Sequence, residues 1–259
     1  MNLLEKICHN KQLEISHQKE AIPLSELKNI LGSQFRKKIS LKQSLIASDS
    51  GIIAEFKRKS PSKDWINRDA DVTQVVKSYK SAGAAAISCL TDELFFGGNF
   101  DDFKKAREAI EQIPLLRKDF ILDEYQLYQS KAMGADIILL IAACLTAEEI
   151  ARFTAIAHEL DMEVLVEIHD ELELSSICQD ADVIGVNNRN LNTFVTNVRN
   201  SLNLAKLIPE NYLKISESGL SSPETVLQLR KAGFQGFLMG ETFMKTNNPG
   251  EELKGFIRK

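Results

Sequence analysis

The sequence predicts an α/β chain folded as a (β/α)8 TIM barrel with an N-terminal helical extension, and three observations carry the prediction. From residue 52 onward eight short β-rich segments alternate with longer amphipathic ones, the pattern of parallel strands joined by crossover helices. A glycine recurs shortly before a strand, at Gly83, Gly134 and Gly233, where a left-handed helix stop would stand. No G-x-G-x-x-G follows the first strand, so the doubly wound alternative lacks its fingerprint.

The elements follow in order. Residues 1–48 lie outside the repeat, and Leu3, Leu4 and Ile7, then Leu24, Leu27, Ile30 and Leu31, recur at helical spacing. They predict a helical extension capping a single domain that spans 1–259. Within it Arg36-Lys37-Lys38 reads as a solvated helix face or linker. Strands are expected at 52–57, 85–90, 115–118, 136–141, 163–168, 183–186, 213–216 and 236–239, where β-branched and other apolar residues run between turn signals. Helix starts are marked by Thr146 before Ala147-Glu148-Glu149 and by Ser222 before Pro223-Glu224, because proline suits the first helical position.

Composition narrows the function. The 32 Lys and Arg against 36 Asp and Glu give a net charge of -4, so no overall basic field recruits nucleic acid or an anionic membrane. Charged residues interrupt the N-terminus at Glu5, Lys6 and Lys11, unlike a secretory signal, and the longest apolar run, 137–145, is too short to span a bilayer as a helix. A cytoplasmic location is expected. Cys8, Cys89, Cys144 and Cys178 lack paired spacing and are expected to be reduced and mostly buried. Cys89 and Cys144 are candidates for the barrel interior, but no His or Asn completes a nucleophile arrangement. His9, His17, His158 and His169 show no metal-ligand spacing, so no metal is expected.

The informative polar residues fall at strand ends, where barrels of this class place their reactive groups. Residues two apart on a strand share a face, so Ile53, Glu55 and Lys57 point one way while Ala54 and Phe56 point the other. By the same phase Lys118 follows Leu116, Glu167 follows Leu165, Asn187 and Arg189 follow Gly185, and Glu217 follows Ile215. Lysines and carboxylates gathered at one rim shift one another's protonation, which suits general acid–base chemistry and an anionic substrate. Gly219 and Gly240, with Glu241-Thr242-Phe243-Met244 as a short helix, suggest a phosphate site. An inward Glu241 carboxylate would repel phosphate, so only its backbone N–H is expected to contribute.

With those residues in hand, the chain closely resembles the indole-3-glycerol phosphate synthases. The motifs are Glu55-Phe56-Lys57-Arg58-Lys59-Ser60-Pro61-Ser62-Lys63, Leu90-Thr91-Asp92 with Phe95-Phe96-Gly97-Gly98, and Leu116-Arg117-Lys118-Asp119-Phe120. Val166-Glu167, Val186-Asn187-Asn188-Arg189-Asn190-Leu191, Ser216-Glu217-Ser218-Gly219 and Leu238-Met239-Gly240-Glu241 follow. The resemblance implies a carbon–carbon lyase of tryptophan biosynthesis that closes the indole ring of 1-(2-carboxyphenylamino)-1-deoxyribulose 5-phosphate, without metal or organic cofactor. It implies Lys118 as general acid, Glu167 as general base and Lys57 as anchor of the substrate carboxylate, with the division of proton transfers between the two lysines left open.

By the same resemblance Glu55, Asn187 and Glu217 form the polar shell and Arg189 balances the carboxylates. Phe96, Phe120 and Leu140 wall the aromatic ring, and Ser60, Ser218, Gly219, Gly240 and Glu241 hold the phosphate. The family commonly has glycine where this chain has Asp64-Trp65, and serine where it has Asn99, which puts loop motion in doubt rather than the reaction. A monomer is expected, with a small phosphorylated substrate and weak association with other enzymes of the pathway. Two rival readings fit less well: a phosphoribosylanthranilate isomerase would need neither the extension nor Lys118-Asp119-Phe120, and a silent binding barrel would not need so many ionisable rim residues.

Overall fold

Eight parallel strands close on themselves in the computed structural model, which describes residues 2–33, 36–190 and 195–258. In chain order, α1 (Leu3–Ala21), α2 (Leu24–Ser33) and α3 (Leu41–Ala47) precede β1 (Ile52–Phe56), and a short hairpin of β2 (Lys59–Ser60) and β3 (Asp64–Trp65) leads to α4 (Val72–Ala82). Then come β4 (Ala86–Leu90), α5 (Phe100–Ala109), β5 (Leu115–Lys118), α6 (Tyr125–Ala132), β6 (Ile137–Ile141), α7 (Ala147–Glu159) and β7 (Glu163–Ile168). The chain finishes with β8 (Val183–Asn187), α8 (Arg199–Leu204), β9 (Leu213–Glu217), α9 (Pro223–Lys231), β10 (Gly236–Met239), α10 (Glu241–Met244) and α11 (Pro249–Ile257). β1 pairs with both β4 and β10, and this closes the ring.

Each expected strand is present to within one residue at either end. The local signals act as expected: Thr146 forms a capping box with Glu149, Ser222 caps α9 ahead of Pro223, and Gly83, Gly134 and Gly233 take φ of 96°, 86° and 95°. One crossover departs from the repeat, since β7 and β8 are joined through a 3₁₀ turn, Leu172–Ser176, rather than an α-helix. Leu191, the last residue of one motif, lies outside the described residues.

Alternation along the strands builds two cores. Ile53, Leu116, Ile137, Leu139, Leu165 and Ile215 fill the barrel, while Ala54, Phe56, Ile138, Val164 and Val166 pack outward in one cluster with residues of the surrounding helices. Leu140 and Cys89 belong to the outer layer, in phase with Ile138 and Ile87. The expectations that Leu140 walls the ring and that Cys89 faces the interior are therefore corrected, because both are one residue off the inward phase. Cys89 alone among the free cysteines is fully buried, so the expectation of mostly buried thiols is corrected too; Cys8 and Cys144 have their sulfurs 3.7 Å apart.

The N-terminal helices contact both ends of the barrel. α3 inserts Leu41 and Leu45 into the inner core at the N-terminal end of the strands, each contributing about 1.5–3 kcal/mol of burial. Glu163, the first residue of β7, accepts hydrogen bonds from the Ser40 hydroxyl and the Leu41 and Lys42 amides, so it caps α3 from across the chain. Arg36 pairs with buried Asp136 at 2.7 Å and Lys38 with Asp161 at 3.2 Å, which corrects the reading of Arg36-Lys37-Lys38 as a solvated stretch; only Lys37 is exposed. At the other end Lys11 of α1 is buried and stands 3.0 Å from Asp92 and 3.1 Å from Asp119, beyond the ends of β4 and β5.

Candidate active site

The strand ends that carry the inward phase converge on one cavity of about 430 Å³ at the C-terminal rim. Every residue the sequence singled out for the site borders it except Leu140, whose place is taken by its neighbours Leu139 and Ile141. Phe96 and Phe120 form an apolar wall, with ring centroids 6.0 Å apart. Leu3, Leu4 and Ile7 of α1 close the cavity from above, so the extension contributes directly to its lining.

The floor is a network of charge. Lys118 Nζ stands 2.7 Å from Glu167 Oε2 and 3.1 Å from Glu217 Oε2, and Lys57 Nζ stands 2.6 Å from Glu55 Oε1. Asn187 donates to Glu167 Oε1 at 3.1 Å, and its own side-chain oxygen accepts the Arg189 amide at 3.0 Å, which fixes the orientation of the Asn187 side chain. The three carboxylates are almost completely buried, whereas both lysines keep an edge open to the cavity.

Protonation follows from these contacts. Burial opposes the charge on Lys118, but Glu167, Glu217 and Glu55 outweigh it and hold the ammonium well above its usual range. Burial likewise opposes ionisation of Glu167, yet Lys118 and His169 hold that carboxylate well below its usual range. Glu217 goes the other way: burial, with Glu167 and Glu55 nearby, pushes it up to about 7 against the pull of Lys118, and its Oε1 is buried without a hydrogen-bond partner among the described residues. One lysine thus separates two carboxylates of opposite character, which is the arrangement an acid–base site needs.

Glycine makes room for this charge at two positions. A Cβ on Gly185 would stand 2.5 Å from Glu217 Oε1, and one on Gly240 would stand 2.7 Å from Glu55 Oε1. Neither could be accommodated without displacing the carboxylate.

The proposed phosphate region lies at the ends of β9 and β10. Ser218 and Gly219 take φ of 66° and 74°, and a Cβ on Gly219 would stand 2.4 Å from Thr196 Cγ2. Gly240 leads into α10, whose first N–H groups have no intrahelical partner. The Glu241 side chain turns toward Arg189, 4.0 Å away, and Arg189 also donates to the Ser62 hydroxyl. This corrects the expectation that Arg189 balances the catalytic carboxylates: Lys118, Lys57 and His169 do so, and Arg189 instead links the β1 loop to α10.

In that loop Asp64 adopts φ of 54°, a left-handed conformation in which glycine would be unstrained, and Trp65 packs beside Gly97 beneath Arg68. Asn99, the other departure, caps α5 by accepting the Asp102 amide.

Several residues that line the cavity or touch its lining escaped the sequence reading. Leu139 and Ile141 were legible from phase alone, since they alternate with Leu140. His169 carries the same signal, two residues beyond Glu167, and its Nε2 lies 3.2 Å from Glu167 Oε1. Nothing local marked Leu3, Leu4 and Ile7 as cavity residues, because helical spacing shows that a face is covered but not what covers it. Among the described residues no group of three or more His, Cys, Asp or Glu side chains is placed to hold a metal ion.

Comparison with known proteins agrees with this geometry. Residues 4–256 match the family model described as indole-3-glycerol phosphate synthase. The chain is 51% identical over 257 residues to the protein of that name from Bacteroides thetaiotaomicron, covering 99% of this chain and 98% of the relative. It is 43% identical to that of Laribacter hongkongensis and 40% identical to that of Delftia acidovorans, each over 97% of both chains. Among solved structures it is similar to 3-hexulose-6-phosphate synthase from Salmonella typhimurium, at a TM-score of 0.61 and 13% identity, covering 80% of this chain and 97% of the other. Thiamine phosphate pyrophosphorylase from Pyrococcus furiosus is similar at a TM-score of 0.60 and 14% identity, covering 85% of this chain and 98% of the other. Those two likenesses concern the fold alone.

Proposed function

The chain belongs to the indole-3-glycerol phosphate synthase family, and from that premise we propose that Lys118 is the general acid and Glu167 the general base of its reaction. The enzyme closes the indole ring of 1-(2-carboxyphenylamino)-1-deoxyribulose 5-phosphate, releasing carbon dioxide and water in tryptophan biosynthesis. The observation that carries the assignment is the position of Lys118 Nζ on the cavity floor between Glu167 and Glu217. Lys57 holds the substrate carboxylate, and the Phe96 and Phe120 wall favours its expulsion, because a carboxylate in dry surroundings loses hydration that neutral carbon dioxide does not need.

The two proton transfers are coupled. As the aromatic carbon attacks the ketone carbon, Lys118 gives its proton to the ketone oxygen, and carbon dioxide leaves the carbon that attacked. Lys118 is then neutral, and the attraction that depressed Glu167 is weakened. Glu167 becomes a better base at the moment dehydration requires one: it takes the proton from the carbon next to the one bearing the new hydroxyl, the hydroxyl leaves as water with a proton from Lys57, Glu167 then passes its proton back to Lys118, and Lys57 regains its own from solvent. Ser60, Ser218, Gly219, Gly240 and the Glu241 N–H bind the phosphate, and Arg189 joins them from the segment after β8.

The extension belongs to the same functional unit, with α1 over the mouth and α3 in the opposite end. A monomer working in the cytoplasm, in weak association with other enzymes of the pathway, is the cellular counterpart of this reading. The net charge of -4 gives no overall attraction to an anionic membrane, and no described helix is long and apolar enough to cross one.

The test is formation of indole-3-glycerol phosphate, followed by its fluorescence, in the presence of EDTA. Lys118→Ala is expected to lower kcat by about 10²- to 10⁴-fold with a much smaller change in KM. An unchanged kcat would move the acid to Lys57.

A further inference from the structure

One buried ionisable group behind the floor carboxylates takes no part in the chemistry assigned above. His169 follows β7, and its side chain is only 10% exposed. Nδ1 stands 3.2 Å from Glu173 Oε2, in the 3₁₀ turn that replaces a crossover helix, and the same oxygen accepts the His169 backbone N–H at 2.7 Å. The His169 carbonyl accepts from Asn200 Nδ2 at 2.8 Å, and that amide also reaches the Asn187 carbonyl at 3.1 Å. Ring and backbone are therefore held from two sides. Nε2 makes no aligned hydrogen bond among the described residues, so its 3.2 Å approach to Glu167 Oε1 is an ion-pair contact.

We propose that His169 is a positioning residue: it holds the Glu167 carboxylate by the oxygen that Lys118 does not touch, and stays as its counter-charge once Lys118 has given up its proton. The inference rests on the assignment of Glu167 as base. Lys118 engages Oε2, whereas Asn187 and His169 engage Oε1, so loss of the lysine's charge leaves one oxygen anchored. Burial opposes the imidazolium, but Glu167 and Glu173 raise it to about 10, so it is charged at neutral pH. Without that charge Glu167 and Glu217 would share the floor with a neutral lysine, and Glu167 would tend to be protonated before its turn as base. Glu173, accepting from Nδ1, sets the angle of the ring. Cys144 also feels Glu167 and Glu173, and its hydrogen bond with Cys8 and its burial keep it a neutral thiol.

The test compares His169→Leu, which keeps bulk alone, and His169→Asn, which keeps a donor without charge, with the parent and with Glu167→Gln. His169→Leu is expected to lower kcat about tenfold or more, the loss of a buried charged partner of Glu167. KM is expected to stay within about twofold. The acidic limb of kcat against pH should move upward, because a carboxylate without its cation ionises at higher pH. His169→Asn should recover part of kcat but not the position of that limb, and His169→Leu should cost little more when Glu167 is already Gln. A residue that only supports the fold would lower the melting temperature and leave the limb where it is. The proposal is overturned if kcat and the acidic limb of His169→Leu match the parent, or if the loss is equal in both Glu167 backgrounds. If Glu167→Gln keeps parental kcat, the base assignment fails and takes this inference with it. Should His169→Leu not fold, Glu173→Gln reads the same limb with the imidazole still present, and an unmoved limb there is equally fatal.

Discussion

Both ends of the barrel carry buried charge, and they treat it in opposite ways. At the N-terminal end Asp136 is completely buried, yet both of its oxygens are doubly engaged: Oδ1 by Arg36 and the Ile39 amide, Oδ2 by Arg107 and the Leu115 amide, all within 2.6–2.9 Å. Glu163 is saturated in the same manner by α3. At the C-terminal end Glu217 is just as buried but leaves Oε1 without a hydrogen-bond partner among the described residues, and Lys118 serves two carboxylates at once. Charge that is fully satisfied fixes structure, while charge left partly unsatisfied beside a cavity is available to a substrate. Burial alone does not distinguish them.

The largest effect expected at the lower end is on folding. Asp136→Asn leaves Arg107 and Arg36 without a buried partner of opposite charge and should lower unfolding free energy by about 3–5 kcal/mol, with kcat per folded molecule unchanged. Denaturant titration beside the fluorescence assay separates the two, and a fall in kcat would erase the contrast between the ends.

Gly185→Ala probes the upper end without removing any charge. The new methyl collides with Glu217 Oε1 and should push that carboxylate away from Lys118, lowering kcat about tenfold for one disturbed charged contact. A parental kcat would mean that Glu217 can move without cost.

The smallest effect has the most telling sign. Glu217 titrates at about 7 in the folded protein against 4.5 as a free side chain, so between those values the folded state keeps a proton that the unfolded chain has released. Its ionisation therefore costs stability as pH rises through that window. Glu217→Gln should lack this slope and be more stable than the parent at pH 8, by about 1 kcal/mol, while losing activity. Chemical unfolding at pH 5 and pH 8 reads the sign, and a variant less stable than the parent at pH 8 would place Glu217 with the saturated, structural carboxylates.

How much of this the sequence revealed follows from the range of each interaction. The inward phase of Glu55, Lys118, Glu167 and Glu217 was legible because alternation along a strand is local. Leu140 shows the limit of that rule when it is not applied to every residue, for its neighbours Leu139 and Ile141 have the right phase. The structural roles of Asp136 and Glu163 were not legible, since their partners Arg36 and Ser40 are 100 and 123 residues away. Arg189 had the expected address but a different companion, because its long side chain reaches Ser62 on the first loop. His169 was passed over as a non-ligand of metals, although its spacing from Glu167 already placed it at the rim.

The account stands most directly on single-turnover formation of indole-3-glycerol phosphate by Lys118→Ala, with Asp136→Asn as the control for buried charge. It predicts that Lys118→Ala binds substrate but forms product about 10²- to 10⁴-fold more slowly, while folded Asp136→Asn reacts at the parental rate. Product formation by Lys118→Ala at the parental rate would contradict it.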